Sequence, residues 1–270
     1  MDSPFTHRKG RLHCEEADLT EIAERAGTPV YVYSATGILE RFRGYDDALA
    51  GVPHRICYAV KANGNLAVLR LLAQAGAGFD IVSGGELFRV LKAGGDVSRV
   101  LFAGVGKTRQ EIEYALESGI GGLNCESEAE IGLVDALAGR LGLKPSVAVR
   151  VNPDVDPSTH PYISTGLREH KFGVDIEEVE GVYERACGYK NITLDGVACH
   201  IGSQLLDASP LLEAAEILLA LIGRLRAKGI TIRYLDLGGG VGVPYKAGDP
   251  RPDVVAYLQR VRELDRKSVV

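Results

Sequence analysis

Several short stretches of this chain put reactive or anion-binding side chains directly after apolar runs. Lys61 follows Tyr58-Ala59-Val60 with no acidic neighbour in sequence. A lysine desolvated there has a lowered pKa and can form an imine with an aldehyde; the plain alternative is a surface lysine in a loop. Asp80 lies within the apolar run 79–82, and Glu86 falls where a helix would begin, a place that also simply suits a carboxylate beside the helix dipole. Arg150 stands between Val149 and Val151, and a guanidinium in a buried strand needs an anion, from a salt bridge or a cofactor. His200 and Ser203 cluster around Gly202, and Gly238, Gly239 and Gly240 form a run after Asp236-Leu237. Consecutive glycines let backbone N–H groups close on a phosphate, although they also make ordinary tight turns. The run is a poor dinucleotide fingerprint, because it comes late in the chain and no acidic residue follows at the required distance.

An imine-capable lysine, a flat ring in His200 and a phosphate cradle together point to an aldehyde cofactor bearing a phosphate, and pyridoxal 5'-phosphate meets all three demands. Such residues need a frame to bring them together. Apolar, β-branched segments recur at 56–59, 79–82, 100–103, 122–124, 147–151, 194–200, 234–237 and 268–270, with helical periodicity between them. Thr108 with Glu111 and Ser127 with Glu130 read as capping boxes, so helices start just after strands. Ser209-Pro210 opens the longest helix and Gly229 closes it, with Arg224, Arg226 and Lys228 near its end. Eight parallel strands with intervening helices predict an α/β fold of the (β/α)8 TIM-type barrel class, whose chemistry sits at the C-terminal strand ends; an open doubly wound sheet has a similar local pattern. Residues 1–50 read as an N-terminal extension, with a helix over 18–25 and a strand over 28–33, ahead of a barrel over 51–270.

Composition narrows the partners. The 270 residues carry 31 Lys+Arg against 36 Asp+Glu, a net charge of −5, so no basic field exists to hold nucleic acid or an acidic membrane. The longest apolar run, 217–222, is far too short to span a bilayer. Five scattered cysteines without a C-x-x-C pair suggest neither zinc nor disulfides, no metal ligand set stands out, and a reducing cytoplasm fits best.

The strings Tyr58-Ala-Val-Lys-Ala-Asn63, Thr159-His-Pro-Tyr-Ile-Ser-Thr-Gly166, Lys171-Phe-Gly173, His200-Ile-Gly-Ser-Gln204 and Asp236-Leu-Gly-Gly-Gly240 occur in that order. From about Leu12 onward the chain resembles the diaminopimelate decarboxylase family, within the barrel-type (fold type III, alanine racemase-like) pyridoxal phosphate decarboxylases. The resemblance implies decarboxylation of meso-2,6-diaminopimelate to L-lysine, a small amino-acid substrate and a homodimer. It implies that Lys61 carries the cofactor and later returns a proton, that His200 stacks on its ring, and that Ser203 with the backbone of Gly238, Gly239 and Gly240 holds its phosphate. Asp80, Glu86 and Arg150 match positions lining the cofactor pocket. Other readings are an ornithine or arginine decarboxylase or a racemase of the same fold, which the 160–166 string disfavours, and a single-domain, non-catalytic pyridoxal phosphate carrier.

The chain departs from the family pattern at its end. Relatives continue past a stretch like Lys267-Ser-Val-Val270 into Glu-Pro-Gly-Arg and a β-rich second domain; Cys125-Glu126-Ser127 resembles a motif of that domain but follows the fourth strand. The expectation is therefore a fragment with strand eight unfinished, poorly stable and nearly inactive by itself.

Overall fold

The computed structural model describes residues 3–156, 172–246 and 248–268. The chain opens with an antiparallel meander of β1 (Phe5–Arg8), β2 (Arg11–Cys14) and β3 (Ala17–Asp18). Lys9 and Gly10 turn β1 into β2 with φ of 49° and 82°, the pair of left-handed values that a tight two-residue hairpin needs. Asp18 caps α1 (Leu19–Ala26) by accepting the Thr20 N–H at 2.8 Å, in line with the helix expected over 18–25.

Residues 28–33 do not form the expected strand. Alternating Val and Tyr favour extended backbone, yet a strand needs a neighbour for its hydrogen bonds, and no described strand pairs with this segment. Tyr31 and Tyr33 instead stack on each other at 6.5 Å, and Tyr31 is 85% exposed. A further helix, α2 (Ala35–Ala48), adds to the expected elements.

The main sheet is built from β4 (Cys57–Ala59), β5 (Gly78–Ile81), β6 (Val100–Phe102), β7 (Gly122–Cys125), β8 (Ser146–Asn152), β10 (Thr193–Ala198) and β11 (Tyr234–Asp236), all parallel. The two-residue β9 (Val174–Asp175) pairs with the end of β8. Each strand lies beside the next one in sequence, and the order never reverses. That decides between the two candidate folds, because a doubly wound sheet reverses at a switch point whereas a barrel winds in one direction.

Helices α3 (Leu66–Gln74), α4 (Gly84–Ala93), α5 (Arg109–Ser118), α6 (Glu128–Leu141), α7 (Val179–Ala186) and α8 (Ser209–Ala227) clothe the outer face. Period-2 alternation sends Phe79, Ile81, Phe102, Leu123, Val147 and Val149 into the layer between strands and helices, where all are fully buried. The intervening residues, among them Asp80, Asn124 and Arg150, face the barrel interior. Thr108 and Glu111 form the complete capping box expected of them. Ser127 accepts the Glu130 N–H, but Glu130 turns its carboxylate to Lys107 and the Glu126 N–H instead of closing a box.

Ser268, expected to open an eighth strand, is the last residue of a helix, α9 (Val254–Ser268). Val254, Tyr257, Leu258 and Val261 recur at i, i+3, i+4 and i+7 and pack with Ala48, Leu205 and Leu211, so the apolar pattern approaching the end is helical. Residues 269 and 270 fall outside the described residues, as does the string 159–166.

Candidate active site

At the end of β4 the chain enters one 3-10 turn, Val60–Ala62, which buries Val60 to 1% exposure and turns Lys61 out into the open. The expected desolvation of this lysine is thus not seen. Among the described residues its amine makes neither a hydrogen bond nor an ion pair, so it is available to react. Asp80 from within β5, Arg150 from within β8 and His200 just past β10 reach the same region, and their fields overlap. Burial pushes the Asp80 carboxyl up to about 7, helped by Asp236 and Glu86 and opposed by Lys61 and Arg150. Burial also drives His200 down to about 4, reinforced by the cations Arg150 and Lys61, so its imidazole is neutral at pH 7.

Arg150 has the anion its burial requires. Its Nη1 donates to Glu126 Oε1 at 2.8 Å, Nη2 reaches the His200 carbonyl at 3.4 Å, and the guanidinium lies 5.6 Å from the Phe172 ring centre. The pair is largely enclosed, with side-chain exposures of 13% and 7%, and Arg150 Nε and Glu126 Oε2 have no partner among the described residues. Glu86 accepts the Val82 N–H at 2.8 Å while Ser83 Oγ accepts the Glu86 N–H, so it braces the start of α4 while remaining in the field of Asp80.

The glycine run forms an arm beside the loop 199–205. A Cβ on Gly238 would lie 2.4 Å from the Cys199 carbonyl oxygen, and one on Gly240 2.1 Å from that of Gly202; their φ of 68° and 110° also favour glycine. Gly239 differs, because nothing lies within 4 Å of a Cβ built there. No described residue accepts the N–H of Gly239 or Gly240. Ser203 is exposed and directly follows Gly202, whose carbonyl abuts Gly240.

Four residues of the mouth escape the sequence reading. Asp236 accepts the Gly238 N–H with one oxygen and the Asn124 amide with the other, each at 2.8 Å, and the second bond joins two strands that are not neighbours in the sheet. Asn124 and Glu126 sit at the end of β7, where the strand-end rule alone would have flagged them. Lys107 is wholly enclosed and bonded to Glu130 at 2.7 Å and to the carbonyls of Gly104 and Asn124; nothing in its loop sequence signals burial.

An open amine, a neutral imidazole and an arm with two free N–H groups fit a flat aldehyde carrying a phosphate. Fold and site thus define an α/β barrel domain of the cofactor-holding kind. The family model of the pyridoxal-dependent decarboxylases, pyridoxal binding domain, matches residues 35–268, and the chain belongs to that family. It is 54% identical over 263 residues to diaminopimelate decarboxylase of Pseudomonas aeruginosa, covering 97% of this chain and 63% of that protein. Among solved structures it resembles diaminopimelate decarboxylase from Helicobacter pylori complexed with L-lysine, at 41% identity and a TM-score of 0.87, covering 92% of this chain and 63% of the other. The counterpart from M. jannaschii in co-complex with L-lysine gives 36% identity and a TM-score of 0.90, covering 97% and 62%. The chain therefore spans a little under two thirds of the relatives it matches.

Proposed function

We propose that this chain is the cofactor-bearing barrel of an enzyme that decarboxylates meso-2,6-diaminopimelate to L-lysine. The observation that carries the reading is the meeting of Lys61, Asp80, Arg150 and His200 with the open glycine arm at one mouth of the barrel. The substrate follows from the named relatives, two of whose structures hold L-lysine. When bound, pyridoxal phosphate supplies an electron sink for the pair left on the α-carbon as carbon dioxide departs.

The residues divide the remaining work. Lys61 Nζ would hold the cofactor by its aldehyde and would be placed to give a proton to the substrate. His200 offers its ring face uncharged, which avoids a second cation beside Arg150. The backbone N–H groups of Gly239 and Gly240 would hold the phosphate, with Gly238 shaping the turn and the Ser203 hydroxyl as a further donor. Arg150, pinned by Glu126, keeps cationic charge near Asp80. A second copy of the chain as partner and a cytoplasmic setting, in keeping with five free thiols, belong to the same reading.

The test is the absorbance spectrum of the purified chain with pyridoxal phosphate, before and after borohydride reduction, with peptide mapping of the label. A reduced label on Lys61, lost in Lys61→Ala, is expected. Labelling spread over other lysines, with none at Lys61, would sink the assignment.

A further inference from the structure

The glycine arm does not stand by itself. Leu205 N–H donates to the Gly240 carbonyl and Gly242 N–H to the Leu205 carbonyl, both at 2.8 Å, which makes a short parallel pairing between Leu205 and Val241. Gln204 extends that pairing with its side chain. Its Oε1 accepts the Val243 N–H at 3.1 Å, and its Nε2 donates to the Val243 carbonyl at 2.5 Å. A primary amide carries a donor and an acceptor side by side, so it can satisfy both backbone groups of one residue as a neighbouring strand would. Gln204 does so from a φ of 62°, a left-handed value uncommon for a residue other than glycine. Backbone held in that region persists where surrounding contacts fix it.

The pairing occupies the Gly240 carbonyl, the Gly242 N–H and both polar groups of Val243. The N–H groups of Gly239 and Gly240 are left over among the described residues, and the open space at Gly239 lies beside them. Without the amide, the Leu205 bonds and the Cys199 N–H on the Asp236 carbonyl still tie the two segments together, but Val243 loses both partners and the stretch after Gly240 is held less firmly, which loosens the geometry of the donors.

We propose that Gln204 is a positioning residue for phosphate: it touches no cofactor atom, but its amide holds the glycine arm so that Gly239 and Gly240 present their N–H groups together. This rests on the cofactor reading above. It also separates Gln204 from Lys61, because a fault in the arm weakens capture of the phosphate and leaves the chemistry of the aldehyde alone.

The experiment compares pyridoxal phosphate with pyridoxal, which has the aldehyde and no phosphate, by titrating each into the chain and following the absorbance of the Lys61 adduct. The variants are Gln204→Asn and Gln204→Met. Asparagine tolerates the left-handed backbone but is one methylene too short to reach Val243, so folding is preserved while the clamp is lost. Methionine keeps the length and loses both polar atoms. Each variant is expected to bind pyridoxal phosphate about tenfold more weakly, the scale of one or two lost hydrogen bonds, with pyridoxal changed less than about twofold. Equal weakening for both compounds, or no weakening for either, overturns the proposal and leaves Gln204 an ordinary loop residue. A parent chain that labels at Lys61 yet shows no preference for the phosphorylated compound overturns the phosphate arm itself. A parent chain with no Lys61 adduct from either compound marks the failure of the underlying cofactor reading.

Discussion

Asp80 and His200 hold protons in opposite ways, and this makes the cofactor-free chain's stability respond to pH in a characteristic manner. Asp80 is pushed from 3.8 to about 7, so across that span the folded chain keeps a proton that the unfolded chain has released, and stability falls as pH rises. His200 is pushed from 6.5 to about 4, so across that span the unfolded chain holds a proton that the folded chain refuses, and stability rises with pH. Between about pH 4 and 6.5 the two slopes oppose. Asp80→Asn removes the falling one, and its stability relative to the parent is expected to climb by about 1.4 kcal/mol per pH unit over that window; His200→Gln is expected to decline by a similar amount. Urea denaturation at half-unit steps of pH measures both, and profiles parallel to that of the parent would refute the assignment. The identities of these residues were legible in sequence because each is a polar residue in or just after an apolar strand. Their protonation was not, since it depends first on burial in the assembled barrel and then on groups from distant strands, Asp236 beside Asp80 and Arg150 beside both.

At the scale of elements, the mouth is assembled from strand ends and the loops that follow them. The glycine arm offers a contrast between two neighbours. Gly240→Ala drives a methyl group into the Gly202 carbonyl at a φ of 110°, and is expected to cost about 1–3 kcal/mol of stability. Gly239→Ala meets nothing within 4 Å and is expected to leave thermal unfolding unchanged while weakening pyridoxal phosphate, because the methyl fills the space beside the donors. Calorimetry with and without the cofactor separates the two effects, and equal destabilisation by both would contradict the geometry of the arm. The seven strands of the main sheet were readable to within two residues and the capped helices by their caps, such as Thr108 with Glu111, because periodicity and caps are local signals, whereas the β1–β3 meander and α2 went unread. The strand expected over 28–33 and the one expected to open at 268 went astray for one shared reason. Extended propensity and a short apolar run do not by themselves name a partner, and pairing is a tertiary property.

For the molecule as a whole, the order of strands in the sheet carries most of the meaning. β8 and β10 are the longest strands and are paired on both sides, whereas β4 and β11 have three residues each and pair on one side among the described residues. Amide hydrogen exchange is therefore expected to be slowest in β7, β8 and β10 and fastest in β4 and β11, because edge pairs open without disturbing the centre. Uniform protection across all seven strands would count against that picture. Barrel winding could not be distinguished from a doubly wound sheet by local pattern, because both repeat the same βα unit and differ only in which unit sits beside which.

The unreversed order of the strands also bears on how the chain is made. A nascent polypeptide emerging from the ribosome finds each new βα unit's docking partner already outside the tunnel, since that partner is the unit just before it, and assembly can keep pace with synthesis. Two contacts run against this schedule: the Asn124–Asp236 bond joins residues 112 apart, and the Arg262 guanidinium reaches the Ala48 carbonyl across 214. Each must wait until its later residue, Asp236 or Arg262, has been made. The first of them steadies the glycine arm, so the wall of the barrel can be raised as translation proceeds, while the pocket gains its grip on a ligand only once Asp236 has been made.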